Sequence, residues 1–231
     1  MNELDSQRMA GRLMQQGMLP TRDPQEADLI LLNSCSVREK AAQKAYSRLG
    51  EYRLIKKERP HLLIGFCGCV AQQEGEKALR RVPDLDFVIG PGRVGEIEQI
   101  VQERRNGKRV VATGFPDARV RNYDFDDLSR EGSYKGMVTI IEGCNKKCTF
   151  CIVPSTRGPE QSRPMAHVLA EVRTCSPMGL SRSSCSARPS TTGAIRKPAP
   201  ISPSCSTRSP RSKACAGCAS SPRTRAISAP R

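Results

Sequence analysis

The run Asp28-Leu-Ile-Leu-Leu-Asn33 is short and apolar and ends at a turn residue, a pattern typical of a β-strand buried on both faces. The runs His61-Leu-Leu-Ile-Gly-Phe66 and Leu85-Asp-Phe-Val-Ile-Gly90 repeat this pattern. Three helical patterns lie between and after these runs, at residues 36–58, 74–81 and 93–105. The sequence therefore alternates between strand and helix.

This alternation predicts an α/β fold, a doubly wound parallel sheet with helices on both faces, over residues 1–112. The longest helix is expected to begin with a capping box, in which Ser36 and Glu39 bond each other's backbone N–H groups. Ligands of such sheets bind at the carboxyl ends of the strands. Cys35 and Cys69 follow the first and second apolar runs, so they are candidates for chemistry at this edge.

Charge is distributed unevenly along the chain. The 231 residues contain 38 Lys and Arg against 23 Asp and Glu, a net charge of +15. Residues 173–231 carry 11 of the basic residues and none of the acidic ones, so the charge of residues 1–172 is only +4. This excludes a strongly basic protein that coats nucleic acid for the first three quarters of the chain. No membrane span or signal peptide is predicted, and we expect a cytoplasmic protein.

A second domain is predicted to begin after a linker. Residues 113–133 are charged and poor in apolar side chains, which is typical of a linker. Tyr134-Lys-Gly-Met-Val-Thr-Ile-Ile-Glu142 then predicts a new strand, and a helix is predicted at residues 165–172. We expect this domain to span residues 134–173 and expect residues 174–231, which are rich in Ser, Pro and Arg, to form a disordered or non-native tail.

Six of the 11 cysteines lie in the first 172 residues, and Cys144, Cys148 and Cys151 form a C-x3-C-x2-C array. In a reducing cytosol such cysteines are metal ligands or reactive thiols rather than disulfides. Three thiolates on one short loop fit three corners of an iron–sulfur cluster and leave one iron open to chelate a small molecule. A structural zinc site is the alternative, but it needs a fourth ligand, and His167 stands sixteen residues beyond the array.

The segment Ile140-Ile-Glu-Gly-Cys-Asn-Lys-Lys-Cys-Thr-Phe-Cys-Ile-Val-Pro-Ser-Thr-Arg-Gly-Pro-Glu160 resembles the cluster loop of the tRNA adenosine methylthiotransferases, a branch of the radical S-adenosylmethionine enzymes. Asn33-Ser-Cys-Ser-Val-Arg-Glu39 and Gly68-Cys-Val-Ala-Gln72 resemble the two cysteine motifs inside that family's N-terminal domain. Met1-Asn-Glu-Leu-Asp-Ser6 resembles the start of its first helix. The resemblance spans residues 1–173, with the motifs in the family's order and spacing.

The resemblance implies a radical S-adenosylmethionine βα barrel that begins near Tyr134, and a 4Fe-4S cluster on Cys144, Cys148 and Cys151. This cluster would bind S-adenosylmethionine through its open iron and reduce it to a 5'-deoxyadenosyl radical, which removes hydrogen from the base. A second, auxiliary 4Fe-4S cluster would supply sulfur, and a second S-adenosylmethionine the methyl group. The protein's own tasks are to bind, orient and exclude water.

The closest branch of the family acts on N6-isopentenyladenosine beside the anticodon. The resemblance therefore implies an enzyme that inserts sulfur and a methyl group into that base of a tRNA substrate. It also implies a reducing partner such as flavodoxin or ferredoxin, no membrane, and a monomer.

Cys35 and Cys69 match two of the three cysteines with which the family binds its auxiliary cluster. The third matching position would lie two residues before Met1, so either the start codon is assigned too late or this chain has lost a ligand. For a chain that begins at Met1, we expect this cluster to be incomplete or labile. Cys67 could substitute, because residues two apart at a strand end point the same way. A buried apolar cysteine is the favoured interpretation of Cys67.

Four basic residues surround the array: Lys146, Lys147, Arg157 and Arg163. They are candidates for contact with substrate phosphates or with the carboxylate of S-adenosylmethionine. Solvated loop charges are the alternative, which we favour for the two lysines.

The tail has a further interpretation at the level of the gene. Codons exist for residues 180–193 and 218–228 whose neighbouring reading frame encodes strings that resemble the family downstream of the cluster loop. We therefore expect a single-base insertion or deletion near the codons of residues 173–178, which resequencing the gene would test. The chain would then be an inactive fragment with an unclosed barrel. Five cysteines would have no function: Cys175, Cys185, Cys205, Cys215 and Cys218.

Two other function classes stay open. A methylthiotransferase acting on threonylcarbamoyladenosine in tRNA, or on a ribosomal protein, would share every motif present. A non-catalytic protein with a metal-binding loop and a basic RNA-binding tail would share the cysteine array and the composition. Iron and sulfide favour an enzyme, whereas zinc together with RNA affinity that falls steeply with salt favours the binding protein.

Overall fold

A mixed sheet between two layers of helices dominates the computed structural model of the protein, which describes residues 2–37, 39–116, 135–175, 182–186 and 225–228. The strands are β1 Leu19–Thr21, β2 Leu29–Ser34, β3 Leu63–Gly68, β4 Phe87–Ile89, β5 Val110–Ala112, β6 Lys135–Thr139, β7 Ile141–Glu142, β8 Gln161–Ser162, β9 Arg182–Ser186 and β10 Arg225–Ser228. The helices are α1 Asn2–Gln15, α2 Glu39–Glu58, α3 Cys69–Glu74, α4 Glu76–Arg81, α5 Ile97–Arg105, α6 Val153–Arg157 and α7 Met165–Cys175, with a 3₁₀ helix at Pro91–Glu96.

The six strands of the main sheet lie in the order β1-β10-β2-β3-β4-β5. The four strands β2 to β5 are mutually parallel, while β10 is antiparallel to both of its neighbours. The predicted α/β fold with a parallel sheet is therefore confirmed, with one antiparallel strand that the sequence did not predict.

Side chains of β2 alternate between the two faces of the sheet. Leu29 and Leu31 join the core beneath α1 and α5, whereas Ile30 and Leu32 join the core beneath α2, α3 and α4. All four are buried. The apolar runs are continuous rather than alternating because helices cover both faces, as predicted.

A buried carboxylate joins the two helical layers through the sheet. Asp86, directly before β4, accepts a hydrogen bond from the Ile64 backbone N–H at 2.6 Å. It forms ion pairs with Lys56 of α2 and, at 2.7 Å, with Arg104 of α5. The Asp86 side chain is only 2% exposed, so these charges compensate one another inside the domain.

Three helix boundaries differ from the prediction. The long helix begins at Glu39, and Ser36 Oγ is buried with no hydrogen-bond partner among the described residues, so the predicted capping box is wrong. The segment predicted as one helix at residues 74–81 is broken at Gly75, whose φ of 50° ends α3 and starts α4. The helix predicted at residues 93–105 opens with 3₁₀ geometry before α5.

The predicted strand at residues 134–142 is divided into β6 and β7. β6 pairs in parallel with β9, β7 pairs antiparallel with β8, and α7 packs on β6 through Val138 and Val168. Of the predicted tail, β9 and β10 are described, and its remainder after residue 175 lies outside the described residues, as do residues 117–133 of the predicted linker. None of the described helices has the length and apolar character needed to cross a membrane.

Candidate cysteine sites at the carboxyl edge of the sheet

Two of the predicted site residues follow paired positions on neighbouring strands. β2 and β3 run parallel, and their last paired residues are Ser34 and Gly68. Cys35 and Cys69 come directly after these residues, so the register brings both to the same edge of the sheet. Cys35 is partly exposed, whereas Cys69 is only 6% exposed.

Gly68 permits the close approach of these two strand ends. Its φ is 94°, a conformation that L side chains rarely adopt. A Cβ atom at this position would lie 2.3 Å from Asn33 Oδ1 and 2.4 Å from the Ser34 carbonyl oxygen. The chain can therefore turn from β3 into α3 beside the end of β2 only because residue 68 lacks a side chain.

Helix α1 is also bonded to this edge. Asn33 Nδ2 donates a hydrogen bond to Ser6 Oγ at 2.8 Å. Between β2 and β3 themselves, Ser34 Oγ donates to the Cys67 carbonyl oxygen at 3.4 Å. The strand ends that precede both candidate cysteines are thus held by side-chain bonds from outside the backbone ladder.

Cys67 occupies a different environment from Cys69. Its side chain is 1% exposed and packs in the core with Met9 and Leu13 of α1. Burial raises the pKa of the Cys67 thiol far above its usual value, because the thiolate would be desolvated. The interpretation of Cys67 as a buried apolar cysteine is confirmed.

The cysteine array lies on the loop between β7 and α6. Cys144 and Cys151 are partly exposed and Cys148 is exposed. The loop closes on itself, since Cys144 N–H donates to the Gly158 carbonyl oxygen at 3.1 Å. Gly143, with a φ of 74°, makes this closure possible, because a Cβ atom there would lie 2.0 Å from the Pro159 carbonyl oxygen.

The donor chemistry of this loop fits an iron–sulfur cluster. Three thiols on one segment are soft ligands of the kind that such clusters use. The Lys146 backbone N–H donates to Cys144 Sγ at 3.5 Å, the type of bond that stabilises cluster thiolates. Within the described residues, however, no group of three or more His, Cys, Asp or Glu side chains is gathered closely enough to hold a metal ion. The structure therefore places the three thiols on one loop without assembling a metal-binding geometry.

Two of the basic residues near the array are buried, contrary to both expectations for them. Arg163 donates to the Thr139 carbonyl oxygen at 2.7 Å and to Glu171 at 2.5 Å. Arg157 forms an ion pair with Asp5 at 2.5 Å. Neither arginine is a solvated loop charge, and neither is presented to a substrate, because the folded segment uses both side chains internally. Lys147 is exposed, in agreement with the expectation of a solvated charge.

Arg157 lies among several acidic groups. Burial lowers its pKa, but the charges of Asp5, Cys69 and Glu142 and the hydrogen bond that Arg157 donates to Asp5 outweigh burial and raise the pKa above its usual value. Glu142, two residues before Cys144, also pairs with Arg8 of α1 at 3.6 Å. Asp5 and Arg8 of α1 thus pair with residues on either side of the cysteine array, and local sequence patterns did not identify these pairs.

The first 90 residues match the model of the family described as "Uncharacterized protein family UPF0004". A protein of Cereibacter sphaeroides is 46% identical over 176 residues, which cover 75% of this chain and 39% of the relative. Proteins of Dichelobacter nodosus (43% over 182 residues, covering 78% of this chain and 40% of the relative) and Acinetobacter baylyi (44% over 181 residues, covering 74% and 37%) are similarly close.

All three relatives are named tRNA-2-methylthio-N(6)-dimethylallyladenosine synthase. The chain spans about two fifths of the length of these curated relatives. The motifs of residues 1–173, the α/β sheet with a cysteine after each of two paired strands, and the identity over about three quarters of the chain agree with one another. Over that aligned part, the chain is therefore similar in sequence to tRNA methylthiotransferases.

Proposed function

We propose that this chain carries the sulfur-supplying site and the cluster loop of a radical S-adenosylmethionine methylthiotransferase that modifies N6-isopentenyladenosine next to the anticodon of tRNA. The observation that carries the proposal is the identity of 43–46% to relatives named for this activity. Isopentenyl and dimethylallyl are two names for the same substituent. The activity therefore agrees with the one that the motifs imply.

Under this proposal Cys144, Cys148 and Cys151 hold a 4Fe-4S cluster that binds S-adenosylmethionine. When bound, this cluster supplies the electron that cleaves S-adenosylmethionine reductively. The chain's own contribution is to present three accessible thiols on one closed loop and to donate the Lys146 N–H to Cys144 Sγ. The ligand set supports this assignment over a structural zinc site, which needs four ligands, because the array supplies three cysteines and His167 stands sixteen residues beyond it.

Cys35 and Cys69 are proposed as ligands of the auxiliary cluster. Their placement after the paired residues Ser34 and Gly68 supports a shared role at the carboxyl edge, where parallel sheets bind ligands. We also propose the domain division at residues 1–112, 113–133 and 134–173. It is supported by β1 to β5, which end at Ala112, and by β6, which starts at Lys135.

Anaerobic reconstitution of the full chain with iron and sulfide tests the cluster assignment. We expect iron and sulfide to bind, and cleavage of S-adenosylmethionine after reduction by dithionite or by a flavodoxin would overturn the expectation that the chain is an inactive fragment. Cys148→Ala should lower the content by about four iron and four sulfide ions per chain, because it removes one of three ligands. Cys67→Ala is the matched control and should keep its iron, since Cys67 lies in the core. Bound zinc, or an equal loss in both variants, would contradict the assignment.

The substrate is tested separately, with tRNA that carries isopentenyladenosine and tRNA that carries threonylcarbamoyladenosine. Mass spectrometry of the digested nucleosides detects the methylthio group. We expect the chain to prefer the tRNA that carries isopentenyladenosine, either in binding or in modification. A preference for the second tRNA, or for a ribosomal protein, would assign the chain to another branch of the family.

A further inference from the structure

A buried ion pair joins α1 to the short helix that follows the cysteine array. Asp5 Oδ2 and Arg157 Nη2 are 2.5 Å apart, and the two side chains are only 5% and 7% exposed. The residues are 152 positions apart in the chain. Because separating them would leave two charges without compensation in a desolvated environment, the bond favours a state in which α1 and α6 stay together.

The same pair lies next to the N-terminal cysteine turn. Helix α3 begins at Cys69 and packs against α6, which ends at Arg157. The helix that carries the anchoring cation therefore packs against the helix that begins at a proposed ligand of the other cluster.

Cys67 and Cys69 are both buried, but by different parts of the molecule. Cys67 lies within β3 and is covered by α1 residues such as Met9 and Leu13. Cys69 lies at the strand end, where α3 meets α6. Undocking the segment that contains α6 would expose Cys69, whereas Cys67 becomes accessible only when α1 leaves the sheet.

We infer that Asp5 and Arg157 are positioning residues that dock the Cys144–Cys151 loop against the Cys69 turn and thereby control access to the Cys69 thiol. The meaning of this docking rests on the proposed function. In a methylthiotransferase it would hold the S-adenosylmethionine site against the sulfur-supplying site. Neither residue needs to touch the substrate for this role.

Native-state alkylation of the full chain with iodoacetamide tests the inference, with each cysteine followed by peptide mass spectrometry. Asp5→Asn removes the carboxylate charge and so breaks the ion pair with Arg157. We expect labelling of Cys69 to accelerate about tenfold or more, which corresponds to about 1.4 kcal/mol of docking free energy. Labelling of Cys67 should stay at the wild-type rate.

Three further variants separate docking from general stability. Asp5→Glu retains the charge and should label Cys69 close to the wild-type rate, while Arg157→Lys, which keeps a cation but loses the planar guanidinium, should give an intermediate rate. Glu171→Gln breaks the other buried arginine pair of this segment, the one with Arg163. This pair joins α7 to the region of β6 rather than α6 to α1, so Cys69 labelling should stay within about twofold of wild type.

If Asp5→Asn accelerates the alkylation of Cys67 and Cys69 equally, as it would if the variant were unfolded, the pair stabilises the whole fold and the inference is overturned. Unchanged labelling of Cys69 would overturn it as well. The measurement needs no iron, S-adenosylmethionine or tRNA. Its outcome is therefore independent of whether the proposed function is correct.

Discussion

At the scale of single residues, the most consequential charge of the α/β domain is that of Asp86. One carboxylate accepts a backbone N–H of β3 and neutralises one cation from each helical layer. Removing the carboxylate would leave Lys56 and Arg104 close together without a counter-charge, and it would leave the buried Ile64 N–H without an acceptor. The cost of these unpaired groups is the main reason why Asp86 matters for stability.

Asp86→Ala is therefore expected to lower the free energy of unfolding by about 3 kcal/mol, at the lower end for a broken buried pair because Lys56 and Arg104 can turn towards solvent. Urea denaturation followed by circular dichroism measures the change. Glu76→Ala is the matched control, since its pair with Arg80 is exposed and should cost at most about 0.5 kcal/mol. Similar losses in the two variants would show that burial of Asp86 has no special energetic role.

At the scale of elements, the turn from β3 into α3 depends on Gly68. Gly68→Ala is expected to lower the free energy of unfolding by about 1–3 kcal/mol, because a Cβ atom would meet Asn33 and Ser34 at a backbone conformation that alanine disfavours. Gly50→Ala in α2 is the control. It has open space around it and should stabilise the protein by about 0.5–1 kcal/mol. Chemical denaturation of both variants measures the change in the free energy of unfolding. A stabilised Gly68→Ala protein would refute the packing described.

The elements themselves could largely be predicted, because their signals are local. The β2 run reads as a strand from its own apolar residues, and burial on both faces follows from the absence of alternation. The start of α2 could not be predicted. Serine is a preferred N-cap residue, but Ser36 lies beside Cys35 in the connection after β2, and the helix begins at Glu39. Local preference is overridden there by the geometry of the strand end.

The candidate site divides in the same way. The cysteines could be identified because their spacing and neighbours form motifs. The partner of Arg157 could not, since Asp5 is 152 residues away and only the folded chain brings the two together. The antiparallel strand β10 was missed for a related reason, because nothing in its own four residues indicates which strands it joins.

At the scale of the whole molecule, β10 separates β1 from the parallel part of the sheet. Its residues Arg225, Ala226 and Ile227 pair with Leu31, Ile30 and Leu29 of β2. This pairing joins the C-terminal segment to the N-terminal domain. It also offers a direct test of whether the tail takes part in the fold.

Deletion of residues 222–231 is expected to accelerate hydrogen exchange at the amides of β1 and at those amides of β2 that face β10, since their acceptors are removed. Amides of β3, which lies between β2 and β4, should keep their protection and serve as the internal control. Exchange monitored by mass spectrometry with peptide resolution measures both. Unchanged protection in β1 and β2 would instead favour the hypothesis that the tail has no native role.

The pairing of Ser34 with Gly68 has a consequence for sequence variation in this family. What brings Cys35 and Cys69 together is the register of β2 and β3, and this register is fixed by which residues face each core. The connection through α2 can lengthen or shorten on the surface at small cost. A one-residue insertion inside either strand would turn every following side chain to the opposite face. A search for distant relatives should therefore require one cysteine directly after the β2 run and one directly after the β3 run. It should leave the number of residues between the two cysteines free.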